Sequence, residues 1–468
     1  MVLVRRRGCM IGAKLSEEAE VSKIFRLYDP GQPFLMPVSM REWLPGGHLA
    51  YFISDLVEHL DLSAIMDRYE EEKGYPPYHP AMMVKVLVYA YCIGVPSSRR
   101  IAKRLEEDIA FRVLAANNTP DFRTISDFRK DHLKALAALF VQVLKLCQRA
   151  GLVKLGHIAL DGTKIRANAS KHKAMSYKRM KEEEARLEAE VQDLLSKAQA
   201  VDEEEDHLYG KNKRGDELPQ ELALRESRLK KIREARAALE AEARMEAEQL
   251  RDKGGKRSEV PEDKAQRNFT DPESHIMPLS GGKQFEQAYN AQAAVDSTNQ
   301  VIVAAEVTDQ PSDKGQATPM MEQVRENAGG LPRQMSADAG YFSSEEVTKL
   351  TTIGIDVYMP PDKIRHTDMI PAAPRGRIPR SLSVADRMRR KLRTKLGRKR
   401  YGLRKELPEP VFGQIKQARG FRQFLLRGKE KVRGEWRLIC AGHNILKLFG
   451  ARPAGLLGQE LWAQLPMA

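Results

Sequence analysis

HIALDGTKIRANAS, residues 157–170, is a short apolar run that reaches a carboxylate at Asp161 and then alternates. Residues 158–160 read as a buried strand. Lys164 and Arg166, one strand step either side of Ile165, are expected on one face near Asp161. QMSADAGYFS (334–343) repeats the pattern, with Asp338 directly after an apolar run. A third carboxylate, Glu409, opens a basic helix in ELPEPVFGQIKQARGFRQFLLRG (406–428). Pro410 behind it marks a helix start. Lys416 lies seven residues on, two turns away on the same face and roughly 10 Å along the axis.

Carboxylates that converge repel one another by about 4 kcal/mol per pair at an effective dielectric of roughly 20. Such a cluster calls for cations, and two divalent ions held this way clamp the attacking and leaving oxygens of a phosphodiester. Each acid also has a plainer reading. Asp161 before Gly162, and Asp338 in ADAG, equally fit turn caps. Asp296, Asp309 and Asp313 compete for the second place, but they lie in hairpin or loop segments. Glu406 and Glu435 compete with Glu409 for the third.

Outward from these acids the pattern after residue 267 is β-like. FEQAYNAQAAVDSTNQVIVAAEVTD (285–309) holds two extended runs joined by DSTN, a plausible hairpin. LPRQMSADAGYFSSEEVTKLTTIGIDVYMP (331–360) reads strand, loop, helix, strand. With residues 157–166 as the first strand, the order is strand, long insertion, two strands, helix, strand, helix, strand. That order suits a mixed sheet flanked by helices, the RNase H-like arrangement, with acids on its first and fourth strands.

Residues 34–151 read as helical. LAYFISDLVEHLDLSAIMDRY (49–69) and HPAMMVKVLVYAYCIGV (79–95) carry apolar residues at helical spacing. PSSRRIAKRLEEDIAFRVLAAN (96–117) begins a basic amphipathic helix whose Arg99, Arg100, Lys103 and Arg104 could meet DNA in a helix-turn-helix-like module. An all-helical packing unit without DNA contacts fits as well. Residues 177–259 are rich in Ala, Glu, Lys, Arg and Leu. Leu187, Val191 and Leu194, then Leu222, Leu229, Ile232 and Leu239, form 3-4 seams. Gly210, Gly215 and Pro219 break them into two arms, expected to form a coiled-coil-like helical hairpin. Self-association, DNA-end contact or spacing would each account for it.

The chain of 468 residues has a net charge of +14, and that charge is uneven. Residues 361–468 hold 26 Lys and Arg against 8 Asp and Glu, so the remainder holds 52 against 56. Residues 375–400 are densest. Such a block is either solvated loop or a phosphate-contact surface. With 42% hydrophobic and 30% charged residues, and no apolar run near the roughly 20 that a membrane span needs, a soluble protein is expected. The N-terminal apolar stretch is too short for a signal peptide, so cytoplasmic residence is expected. Cys9, Cys92, Cys147 and Cys440 have no zinc-ligand or redox spacing. A bound metal should be a hard cation on carboxylates.

Tyr401, Arg404, Glu409 and Lys416 resemble the tyrosine-arginine-glutamate-lysine signature of bacterial insertion-sequence DDE transposases. Two residues separate Tyr401 from Arg404 and six separate Glu409 from Lys416, as in that family; the Arg-to-Glu gap is one residue longer than its commonest form. DGTKIRANAS, QAYNAQAAVD, ADAGYFS and EPVFGQIKQARGFRQFLLRG resemble one group of these enzymes, over nearly the whole chain from about Phe34. The resemblance implies a catalytic triad of Asp161, Asp338 and Glu409 holding two Mg²⁺ or Mn²⁺. It implies cleavage at terminal inverted repeats and attack of the freed 3′-OH on target DNA. Tyr401, Arg404, Lys416, Lys164 and Arg166 would lie on phosphates. The partner would be double-stranded DNA, gripped by a homodimer or larger assembly, in the cytoplasm of a bacterium on its nucleoid. A transposase-derived DNA-binding protein without chemistry is the rival reading.

The expected fold is therefore mixed α/β, or α+β. A tail (1–33) precedes a helical N-terminal domain (34–151). An RNase H-like catalytic domain (152–176 and 260–450) is interrupted by the helical insertion (177–259), and a second tail (451–468) ends the chain.

Overall fold

The protein is described by a computed structural model covering residues 39–69, 77–209, 220–251, 257–279, 284–363, 375–377, 379 and 381–451. The expected N-terminal tail with Cys9, the expected C-terminal tail beyond Ala451, and the expected break at Gly210, Gly215 and Pro219 lie outside the described residues.

The N-terminal region is helical: α1 (Leu49–Glu58), α2 (Ser63–Met66), α3 (Pro80–Cys92), α4 (Ser98–Glu107), α5 (Ile109–Leu114), α6 (Phe122–Asp131) and α7 (Leu133–Arg149). Local chemistry sets their starts. Pro80 occupies the first turn of α3, where its missing N–H costs nothing. Asp108 caps α5, and Asp121 caps α6 by accepting from the Thr124 N–H at 2.7 Å. The buried Arg129 of α6 donates to the Pro96 carbonyl at 2.6 Å and to the Ser98 hydroxyl at 3.3 Å, which binds α6 to the start of α4.

β1 (His157–Arg166) begins the sheet, and β2 (Ala174–Ser176) leads into two long helices, α8 (Tyr177–Tyr209) and α9 (Gln220–Arg251). These pack antiparallel. Met180, Leu187, Leu229, Ile232 and Leu239 are buried between them. The buried Glu184 accepts from Arg233 at 3.1 Å and from Arg236 at 2.6 Å. β3 (Gln266–Asn268) pairs antiparallel with β2 at their base.

β4 (His275–Pro278), β5 (Phe285–Asp296) and β6 (Ile302–Thr308) follow, then α10 (Ala317–Ala328), β7 (Gln334–Ser336), α11 (Ser344–Thr352) and β8 (Asp356–Tyr358). The main sheet is six-stranded and mixed. Its order is β5, β1, β7, β8, with β4 and β6 paired to successive stretches along the outer edge of β5. β1, β5 and β6 run antiparallel, whereas β7 is parallel to β1 and β8 to β7. The reading of the sequence anticipated β1, β5, β6, β7 and β8. It did not foresee β2, β3 and β4, which are three or four residues each; β2 and β3 pair with each other across the long helices, and β4 pairs with the start of β5.

Residues 375–400 are not a loop throughout. They contribute α12 (Val384–Arg393) and the first half of α13 (Lys395–Glu406), and Met388 and Leu392 are buried. α14 (Pro408–Gly413) continues into a π-helical turn at Gln414–Ala418. α15 (Lys429–Ala451) closes the fold against α3, α7 and β6. Its Asn444 exchanges two hydrogen bonds with the backbone of Ile302, and Trp436 donates to the Gln292 carbonyl at 2.9 Å. The sheet has two buried faces. Ile158 and Leu160 share a core with the N-terminal helices and α10. Ala159 and Ile165 face α14 and α15.

Candidate active site

β1 and β7 run parallel, and their last paired residues are Ala159 and Ser336. Two residues further along each strand come Asp161 and Asp338, so the register sets both carboxylates at neighbouring strand ends on one face. Both also cap turns. Asp161 accepts from the Gly162 N–H at 2.8 Å, and Asp338 from the Gly340 N–H at 2.7 Å. Burial pushes the Asp161 carboxyl up to about 7, and Asp338 and Asp313 add to this while the Gly162 N–H and Arg404 oppose it.

Asp313 is the third acid of this cluster. Its Oδ1 accepts from Asn290 at 2.6 Å and Gln292 at 2.7 Å, and faces the Lys164 ammonium at 3.5 Å. Gln292 in turn accepts from the buried Tyr341 hydroxyl. Burial, and then Asp313, Asp161 and Asp338, hold that phenol well above its ordinary range. The side chains of Asn290 and Gln292 pair across from Lys164 and Gly162. Strand alternation therefore puts Lys164 on the opposite face from Asp161, contrary to the expectation from spacing. On that face it meets Asp313, and Gly162 leaves a gap that this cluster fills: a Cβ there would lie 2.4 Å from Gln292 Nε2 and 2.7 Å from Asp313 Oδ1. Burial lowers the Lys164 ammonium and the three carboxylates oppose it.

Arg166 is exposed at the far end of β1, and its backbone pairs with Arg422 and Phe424. The Lys416 ammonium donates to the Lys164 carbonyl at 2.8 Å. Burial, helped by Arg422, pushes it down to about 8. Lys416 sits on the π-helical turn, so the path from Glu409 is not a uniform α-helix. Glu409 is exposed in the first turn of α14, which packs on β1 and β5. The charges that act most on Asp161 are Asp338, Asp313 and Arg404, and Glu409 is not among them.

Tyr401 and Arg404 lie one turn apart on α13, with the guanidinium 5.0 Å from the ring centroid. Burial raises the Tyr401 phenol, and Asp338 and Asp161 act in the same direction, so α13 passes close to the acids. Arg404 Nε is buried without a hydrogen-bond partner.

The competing acids have other employment. Asp296 caps its hairpin at Thr298 and Asp309 pairs with Lys429 at 2.9 Å. The buried Glu435 accepts from the Leu425 and Leu426 N–H groups. Glu406 is exposed near the end of α13. Arg99, Arg100, Lys103 and Arg104 are exposed on α4, opposite the buried Ile101 and Leu105, and Arg99 stacks over Phe122 at 5.2 Å. Cys92, Cys147 and Cys440 are buried, and burial holds their thiols up. Among the described residues, no three His, Cys, Asp or Glu side chains converge closely enough to hold a metal ion. Also among them, no helix is long and apolar enough to cross a membrane.

Asn290, Gln292 and Tyr341 belong to this cluster and were not singled out from sequence. Asp313 was weighed only for another place. The signal available was a polar pair two apart, N-x-Q, inside an otherwise apolar strand, which puts two amides on one face.

Two family models match the chain. Residues 38–131, spanning α1 to α6, match a transposase domain (DUF772), and residues 377–449, spanning α12 to most of α15, match a transposase DDE domain. No curated protein and no solved structure matches it. The transposase domains on either side of the acid-bearing strands indicate a function in transposition, and the pair supports a DDE-type transposase of an insertion sequence.

Proposed function

We propose that this chain is a polynucleotidyl transferase that cuts DNA at the ends of its element and joins the freed 3′-OH to target DNA. Asp161 and Asp338 would be the fixed ligands for divalent cations, and Glu409 would complete the triad from the start of α14. The observation that carries this reading is the parallel register of β1 and β7, which brings two carboxylates from distant segments to adjacent strand ends. The strand order β6, β5, β1, β7, β8, three antiparallel and two parallel, supports an RNase H-like core. On this reading α8 and α9 are an insertion between its first two strands.

The donor set fits hard cations. It offers carboxylate oxygens and no thiolate, and Asp161 is held partly protonated by burial and by its acidic neighbours. Bound Mg²⁺ or Mn²⁺ would supply activation of the attacking oxygen and stabilisation of the leaving one. The protein's own residues do the rest. Asp161 is fixed by the Gly162 N–H and Asp338 by the Gly340 N–H, so both present their second oxygens in a set direction. Lys416 and Arg404 bring positive charge to the same edge, where a phosphate would be held and oriented. The buried Arg404 Nε, which has no partner, is a donor ready for an acceptor from DNA. Double-stranded DNA is the partner, and α4 with Arg99 and Arg100 would add backbone contacts. Holding two element ends calls for at least a dimer in the complex.

The test is cleavage of labelled DNA carrying the flanking terminal repeats, with Mn²⁺ or with EDTA. Wild type is expected to nick at the element end only with metal. Asp161→Asn should lose nicking by at least a hundredfold while DNA affinity holds, and Glu409→Gln should do the same. Cutting that survives in Glu409→Gln removes Glu409 from the triad. Tight binding without any nicking by wild type favours the catalytically silent DNA-binding protein.

A further inference from the structure

Asp313 sits in the loop after β6, on the side of β1 opposite to Asp161, with one oxygen against Gly162 and the other toward Gly340. Its two oxygens have different surroundings. Oδ1 takes the Asn290 and Gln292 amides and faces the Lys164 ammonium. Oδ2 points toward Gly340, where a Cβ would lie 3.4 Å from it and 2.9 Å from Asp338 Oδ1. Asn290 is fully buried and its Oδ1 has no hydrogen-bond partner. That orphaned oxygen also faces the gap, 2.8 Å from where a Gly162 Cβ would be. A buried amide with one satisfied and one unsatisfied end costs stability unless a further group completes it.

We propose that Asp313 is a positioning residue for the transposase site. It anchors the Lys164 ammonium on its own side of β1, at 3.5 Å, and keeps that ammonium off Asp161 and Asp338 and so out of the cation position. The inference rests on the reading of Asp161 and Asp338 as cation ligands. Asp313 is the carboxylate that pairs with Lys164, and the cation that acts most on Asp161 is Arg404 instead. Were Asp313 absent, the freed ammonium would swing onto Asp161 or Asp338 and compete with the divalent ion. Gly162 is then small because the Gln292, Asp313 and Asn290 side chains lie where its Cβ would be.

Calorimetric titration of the full chain with Mn²⁺ alone, without DNA, tests this. Asp313→Asn should weaken Mn²⁺ binding about tenfold, in the range seen when outer partners of metal ligands are removed. In the Lys164→Met background the same substitution should have little effect, because the competing ammonium is gone. Lys164→Met alone should bind Mn²⁺ at least as tightly as wild type, and it keeps the test open if Asp313→Asn does not fold. Three results would overturn the inference alone: Asp313→Asn binding like wild type, a tenfold loss that persists in the double variant, or weaker binding by Lys164→Met. Wild type that takes up no Mn²⁺, or takes it up equally well as Asp161→Asn, would overturn the metal reading itself.

Discussion

Asp161 is half-buried near two other carboxylates, so its proton competes with any cation the site takes up. Its carboxyl is pushed up to about 7, with burial the largest cause and Asp338 and Asp313 next. The sign follows directly. A folded-state value above that of the unfolded chain means that the metal-free fold loses stability as pH rises through about 7. If Asp161 is a cation ligand, as proposed, the same shift means that a proton must leave before a divalent ion can bind, and binding would release it. Mn²⁺ affinity is therefore expected to fall about tenfold for each pH unit below about 7 and to level off above it. Calorimetry from pH 5.5 to 8 reads this slope. Affinity flat down to pH 5.5 would place the titrating carboxyl outside the cation site. Asp161→Asn should abolish both the binding and its pH dependence.

At the scale of elements, α15 packs on α3, inside the first region matched by a transposase model, and on α7, just beyond that region. Gly434 of α15 faces the buried Leu133 at the start of α7, and a Cβ there would lie 2.9 Å from Leu133 Cγ. Two effects oppose each other in Gly434→Ala. Helix propensity favours Ala by about 1 kcal/mol, whereas overpacking a filled joint costs roughly 1–3 kcal/mol. The contact is to a branched carbon rather than a flexible tip, so overpacking wins, and a net loss of about 1 kcal/mol is expected in denaturant unfolding. A gain would show that Leu133 can turn aside. Elements of this kind were legible from sequence in part. The helices α1, α3 and α7 announced themselves by apolar spacing, and the β5–β6 hairpin by its alternating runs around DSTN. α12 and α13 were obscured by charge, since Met388 and Leu392 are the few apolar anchors that α12 buries among many arginines. Asp161 and Asp338 could be picked out because each follows its own apolar strand. Asp313 could not be assigned its place, because that depends on Gly162 in one strand and two amides in another. Contact across the sheet leaves no trace in local spacing.

For the whole molecule, the uneven charge sets how DNA would be gripped. The last quarter carries more than the whole positive excess, since the remainder is net negative, while α4 adds a smaller exposed cluster far away in the chain. Each phosphate neutralised by a side chain releases counterions, and the logarithm of affinity then falls against the logarithm of salt by about 0.9 per contact. Lys395, Arg398 and Lys399 are exposed on α13, the helix that also bears Tyr401 and Arg404. Replacing all three by Gln should lower the salt slope by about 3, and Arg99→Gln with Arg100→Gln should lower it by about 2. Fluorescence anisotropy of a terminal-repeat duplex between 50 and 200 mM salt measures both (the range over which such slopes are read). If only the α13 variant changes the slope, the catalytic region alone holds the backbone and the N-terminal helices serve packing, as their shared core with the sheet already permits. If both change it additively, the two regions grip one duplex together, and the buried Arg129 strut between α4 and α6 becomes part of the DNA-binding frame. A slope unmoved by either set would mean that the basic quarter faces something other than phosphate.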